Sequence, residues 1–235
     1  MNLKLAIMQP YFFPYIGYWQ LINAVDKFVI YDDVSYIKRG WINRNNILVN
    51  GHPKLMNVRL KKVSQNKLLN EIEVSHDLNY NNDLLKTIKE SYIKAPFFES
   101  VFPIVELVIN QHEKNLAKYL VFSIKEVCKY LCIDTEIIIS SEISKCNELK
   151  GQDRILDICK LLSTDQYINA IGGRSLYSNQ DFGLSGIELK FLKTLDIRYP
   201  QLIHNEFVPN LSILDVMMFN GPIQTNLMLN DFELI

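Results

Sequence analysis

The N-terminal stretch constrains this chain more than any other. Lys4–Met8 is a short apolar run stopped by Gln9-Pro10, and a proline-punctuated turn follows from Tyr11 to Pro14. Gly17 opens a helix whose apolar residues Tyr18, Leu21, Ile22 and Val25 keep the i, i+3, i+4, i+7 spacing of one buried face. Phe28–Tyr31 is a second apolar run, and it ends at Asp32-Asp33. Strand, helix and strand within about 30 residues form the βαβ unit of a parallel sheet.

The remainder extends that sheet. Lys54–Lys62, Glu71–Ser75, Glu136–Ile139, Gln166–Ile171 and Ile187–Leu192 read as strands. Asp83–Tyr92, Phe98–Asn110, Glu113–Leu131, Gly151–Leu162 and Leu211–Phe219 read as helices, the last stopped by Asn220-Gly221-Pro222. With 235 residues, 48% of them hydrophobic, residues 1–235 are expected to form one α/β domain with 81–132 as a helical insertion. The net charge of −1 argues against a nucleic-acid binder, which needs a surplus of clustered cations. No apolar run approaches the roughly 18 residues of a membrane span. The N-terminus lacks the pattern of a signal peptide, so a cytoplasmic location is expected. Cys128, Cys132, Cys146 and Cys159 have no zinc spacing and no nearby histidine, so they read as free thiols and no metal site is expected.

In an open parallel sheet, ligands bind beyond the carboxyl ends of the strands, and the polar and glycine-rich segments fall there. The first strand delivers Gln9, Tyr11, Tyr15, Gly17 and Tyr18; Gly17 at a helix start either admits an anion or makes a tight turn. The second delivers Asp32 and Asp33, then Tyr36, Lys38, Arg39, Trp41, Asn43 and Arg44. Adjacent carboxylates repel, so one is a candidate base with a raised pKa. Arginine is the scarce cation, six against nineteen lysines, and its planar fork suits a diphosphate. Arg39 and Arg44 therefore read as a clamp, with Tyr36 or Trp41 stacking on a ring; the alternative is a solvated loop held by ion pairs. Arg154 lies in the first turn of its helix, against the dipole, and wants either an anionic ligand or a local pair with Asp153 or Asp157. Gly172, Gly173, Arg174 and Tyr177 follow another strand as a possible anion nest or an ordinary turn. Gln201 and the loop residue His204 complete the candidates, with His204 grouped with Asp32 and Asp33 as catalytic. Ser212-x-x-Asp215 has the spacing of a helix capping box.

The chain resembles the WbqC-like family. The resemblance is carried by Met8-Gln9-Pro10-Tyr11-Phe12-Phe13-Pro14-Tyr15-Ile16-Gly17-Tyr18, by Asp26 to Val34 and by Tyr36 to Asn45. Tyr92-Ile93-Lys94-Ala95-Pro96-Phe97-Phe98, Gly172-Gly173, Tyr199-Pro200-Gln201 and Leu211-Ser212-Ile213-Leu214-Asp215 extend it over essentially the whole chain. It implies a role in making or decorating O-antigen sugars. Tyr15-Ile16-Gly17-Tyr18 also sits where nucleotidyltransferases carry His-x-Gly-His. Here tyrosine replaces both histidines and removes their phosphate contacts, which leaves a nucleotide-shaped cleft. The two resemblances together imply a Rossmann-like, nucleotidyltransferase-like fold with a mostly parallel sheet. They imply acyl or aminoacyl transfer to a nucleotide-activated amino sugar, with coenzyme A or carrier-protein phosphopantetheine as thioester donor and no tightly bound cofactor. A degenerate nucleotidyltransferase or ATP-dependent amide ligase, and a non-catalytic nucleotide-sugar-binding protein, are the alternatives.

Overall fold

The computed structural model describes residues 2–201 and 206–235. In chain order the elements begin β1 (Lys4–Met8), α1 (Ile16–Asn23), β2 (Lys27–Ile30), β3 (Arg44–Val49), β4 (His52–Asn57), β5 (Leu60–Lys61) and β6 (Glu73–Val74). Three helices follow, α2 (Leu78–Tyr92), α3 (Phe98–Asn110) and α4 (Leu116–Tyr130). The chain closes with β7 (Glu136–Ile139), α5 (Gly151–Leu161), β8 (Gln166–Ala170), α6 (Asn179–Leu184), β9 (Glu188–Thr194), α7 (Ile213–Met228) and β10 (Phe232–Leu234).

The central sheet has the order β10-β9-β8-β1-β2-β7. Every pairing is parallel except β10 with β9. This is a Rossmann-like α/β fold. The chain builds outward from β1 through β2 to β7, then α5 carries it back to β8 on the other side of β1. The order therefore reverses between β1 and β8, the place where α/β folds open a ligand crevice.

Alternation along the strands divides the core. Ala6, Phe28 and Ile30 face α1, α3, α4 and α7 in the larger cluster. Leu5, Ile7 and Val29 face α5 and α6, against Ile155, Ile158, Cys159 and Phe182. Apolar residues at consecutive positions of β1 and β2 are thus buried on both sides, as a central parallel strand requires.

Four readings of the sequence need correction. The single strand expected over Lys54–Lys62 is two. β4 pairs with β3 across Asn50-Gly51, both with positive φ as a primed hairpin turn demands, and β5 pairs with β6. Met56 and Val58 are buried, and Leu55 is exposed. The last helix is broken at Gly221 (φ 66°, ψ −173°), as its stop signal predicts, and a further helical segment that the sequence reading lacks continues from Pro222 to Met228. Gly221 is needed there for its positive φ and because a side chain would land 2.4 Å from the Phe97 ring. The Gly172-Gly173 turn is a 3-10 helix over Ile171–Leu176. The short elements β3, α6 and β10 were not foreseen. Among the described residues, no helix is long and apolar enough to cross a membrane.

Candidate functional site

Three cavities lie along the rim at the carboxyl ends of the parallel strands. The first, of about 310 Å³, is lined by Tyr11, Pro14, Tyr15, Trp41, Asn45 and Asn210. Its floor is the turn between β1 and α1, which neighbouring elements hold rigidly. Asn45 Nδ2 and Ser212 Oγ both donate to the Phe13 carbonyl, each at 2.7 Å. The Pro14 carbonyl accepts Trp19 Nε1 at 3.0 Å and the Ile213 amide at 2.9 Å. Gly17 is needed for close packing, since a Cβ there would fall 2.5 Å from the Tyr15 ring and 2.6 Å from Thr194 Oγ1. Tyr15 and Trp41 present partly exposed rings, and Asn45 and Asn210 add amide groups. Burial raises the Tyr11 and Tyr15 phenols, with Thr194 partly offsetting the rise at Tyr15, so both are neutral donors. Tyr18 is not in the cleft. It is buried, donates to the Gln9 carbonyl at 3.0 Å and packs against Phe28.

The two carboxylates after β2 diverge. Asp33 accepts Ser140 Oγ at 2.7 Å, Lys145 Nζ at 2.7 Å and Arg154 Nη2. Burial alone would raise its pKa, but the hydrogen bonds from Lys145 and Ser140 and the Arg154 charge outweigh it and hold the carboxyl below the usual range. The expected raised pKa is therefore not found at Asp33, which is a structural ion-pair centre. Arg154 takes neither Asp153 nor Asp157 as its pair. Asp32 accepts the Ser141 amide at 2.9 Å, Ser141 Oγ at 2.7 Å and Asn70 Nδ2 at 3.3 Å. It lines a cavity of about 590 Å³ with Lys118, Phe122, Lys125 and Glu142. Asp33 lines a separate cavity of about 750 Å³ with Tyr31, Lys150, Gly151 and Arg154. Ser141 borders both.

The scarce arginines do not converge into one free clamp. Arg44 donates to the Gly40 carbonyl at 2.9 Å and to the Arg39 carbonyl, and lies 5.9 Å from the Trp41 ring, so it braces the loop. Arg39 and Arg174 are exposed, as is Lys38. Tyr36 donates to Asn43 Oδ1 at 2.9 Å, and Asn43 Nδ2 donates to the Val58 carbonyl at 2.8 Å, which ties this loop to the hairpin. Gly172 is open, Gly173 packs on Asn169, and Tyr177 stacks edge-on against Tyr167 and Phe182. His204 lies outside the described residues.

One cluster was missed. Asp215 is fully buried; Oδ1 accepts the Tyr92 hydroxyl at 2.8 Å, and Oδ2 accepts the Tyr199 hydroxyl at 2.7 Å and Gln201 Nε2 at 2.8 Å. Burial raises its pKa although all three donors pull the other way. Only half of the capping box exists: Ser212 Oγ accepts the Leu214 amide, while Asp215 reaches across the fold. Gln201 belongs to this cluster. The signal was the recurrence of Tyr92, Tyr199-Pro200-Gln201 and Ser212–Asp215 among the family's own motifs. Ser141 stands at the end of the Glu136–Ile139 strand, where the sequence places polar residues on the rim. Lys145, Asn45 and Asn210 were not foreseen, since nothing in their local sequence marks them.

Among the described residues, no group of three or more His, Cys, Asp or Glu side chains has the arrangement of a metal site. The fold is that of a Rossmann-like α/β protein, with an aromatic crevice and a divided carboxylate pair on one rim. The chain belongs to the WbqC-like protein family, whose model matches residues 9–227. It is also 25% identical over 219 residues to Rv1507c of Mycobacterium tuberculosis, described as an uncharacterized protein, covering 92% of this chain and 93% of that one. No solved structure matches the chain.

Proposed function

We propose that this protein transfers an acyl or aminoacyl group from a thioester to the amine of a nucleotide-activated sugar in O-antigen biosynthesis. The carrying observation is the crevice of Tyr11, Tyr15 and Trp41 at the end of β1, the strand that borders the reversal of strand order. Aromatic faces there suit a planar base, and the Asn45 and Asn210 amides suit its hydrogen-bonding edge. Tyr11 and Asp32 leave neighbouring strands about 4.8 Å apart, so an extended sugar nucleotide reaches from one to the other.

Asp32 is the carboxylate of the pair that faces a cavity without an ion pair, and in this reading it takes the proton from the amine. The nitrogen attacks the thioester carbonyl, the C–N bond forms, the C–S bond breaks, and the thiolate leaves and regains the proton. Cys128 and Cys159 are buried, and none of the three cavities is lined by a cysteine among the described residues, so transfer is direct.

Trp19 is fully buried and Trp41 is 51% exposed, so tryptophan fluorescence reports the crevice. Uridine or guanosine diphosphate sugars should quench it, and Trp41→Phe should remove the quench while leaving the fold intact. Absence of quenching and of thermal stabilisation by any nucleotide would overturn the reading. Full turnover in Asp32→Asn would remove the base assignment. Pyrophosphate release from a nucleoside triphosphate would replace thioester transfer with ligation.

A further inference from the structure

The cavity between the end of β2 and the start of α5 holds more cation than anion. The Lys145 side chain is 1% exposed and that of Arg154 is 12% exposed, and both share Asp33 as their one carboxylate. Lys145 also donates to the Ser140 carbonyl, and Arg154 to the Asp33 carbonyl at 3.4 Å while lying 5.5 Å from the Tyr31 ring. A third cation, Lys150, lines the same cavity. Asp32 and Glu142 line the adjoining cavity beyond Ser141, and Asp153 and Asp157 stand on α5, where Asp157 accepts the Cys146 amide; none of the four is ion-paired to these cations among the described residues. Two desolvated cations on one carboxylate leave a positive charge that the interior compensates poorly.

The start of α5 adds to that field. Among the described residues it has no side-chain cap, so its first amides keep their hydrogen-bonding capacity. Gly151, at φ +54°, has open space where a side chain would stand, which leaves backbone accessible from the cavity. In the first turn Arg154 opposes the positive end of the helix dipole while the exposed Asp153 favours it, so the buried guanidinium is the charge left against the dipole on the cavity side. Arg154 Nε is buried without a partner among the described residues. Each of these deficits calls for the same thing, an oxyanion.

We infer that this cavity binds a phosphate-type oxyanion, a phosphate or diphosphate ester, held by Lys150, Arg154, the first amides of α5 and the hydroxyl of Ser35. Lys145 sits beneath as a positioning cation that keeps Asp33 ionised and Arg154 in place. The inference deepens the proposed function by placing the phosphate-bearing part of a substrate. It is tested separately, because inorganic pyrophosphate has no base to stack on Trp41.

The experiment is thermal denaturation of the full chain with inorganic phosphate or pyrophosphate against potassium chloride at matched ionic strength. At a hundredfold excess over Kd, pyrophosphate should raise Tm by about 5 °C beyond chloride. Lys150→Glu supplies an internal carboxylate, so it should raise the ligand-free Tm and abolish the pyrophosphate shift. Arg154→Gln should also abolish it. Lys86→Ala, on the exposed face of α2, should keep it. If Arg154→Gln fails to fold, Lys150→Glu alone decides. Two further arms identify the source. Preferential binding of uridine diphosphate, lost in Lys150→Glu, assigns the site to the sugar nucleotide; the same behaviour with pantetheine 4′-phosphate assigns it to the thioester donor. A pyrophosphate shift no larger than that of chloride, or an undiminished shift in Lys150→Glu, would overturn the inference whatever nucleotides do to Trp41.

Discussion

Replacing Asp215 by alanine tests whether the buried carboxylate cluster ties the C-terminal helix to the rest of the molecule. The Tyr92 hydroxyl is buried and donates only to Asp215, while accepting the Leu48 amide at 3.0 Å. Left without its acceptor, it costs about 1–3 kcal/mol. The half-buried Tyr199 hydroxyl finds water more easily and adds about 0.5–1.5 kcal/mol. Gln201 keeps the Val208 carbonyl at 3.1 Å and adds little. Loss of a desolvated carboxylate offsets part of this, so Asp215→Ala should destabilise by about 2 kcal/mol and Asp215→Asn, which keeps the shape and one acceptor, by about 1 kcal/mol. Equilibrium urea unfolding should show the alanine midpoint lowered by about 1 M with m unchanged. Tyr92→Phe and Asp215→Ala should also be non-additive. Because burial raises the folded-state pKa of Asp215, the folded chain keeps this proton at pH values where the unfolded chain has lost it. The resulting stability is complete below the unfolded value near 3.8 and is lost as pH rises through the folded value. The deficit of Asp215→Asn should therefore shrink as pH rises above about 4. A variant Asp215→Ala within about 0.5 kcal/mol of wild type, or additive with Tyr92→Phe, would refute the reasoning.

Two other outcomes are expected. Gly221→Ala should destabilise by about 3 kcal/mol or more, from positive φ and overlap with Phe97, whereas Gly183→Ala, with open space in α6, should be neutral or slightly stabilising; chemical denaturation distinguishes them. A thiol-reactive disulfide reagent should titrate the exposed Cys132 and Cys146 in the native protein. Cys128 and Cys159, whose thiols burial pushes up to about 12, should react only after denaturation.

Much of the fold could be read from local pattern. β1, α1 and β2 announce themselves because a central parallel strand is buried on both faces and its helix on one. β3 was hidden because Arg44-Asn45-Asn46 is polar yet Asn45 is buried, satisfied by the distant Phe13 carbonyl. The second half of α7 was hidden because Gly-Pro ends a helix, as it does here at Gly221, and nothing local signals that helix resumes beyond Pro222.

For the site, the sequence located the strand ends that form the rim, with Tyr11, Tyr15, Asp32 and Asp33 on it, because strand ends and turn residues are local features. It could not apportion them. Asp32 and Asp33 are adjacent in the chain, but successive positions leaving β2 border different cavities, and Ser140, Ser141 and Lys145, more than a hundred residues away, decide which carboxylate is paired. Arg44 and Arg154 looked equally free in sequence; a loop carbonyl claims one and Asp33 the other. Charge is set by composition, but hydrogen-bond satisfaction is set by what folds against what. Only the tertiary structure therefore shows which polar groups are committed to the fold and which remain for a ligand.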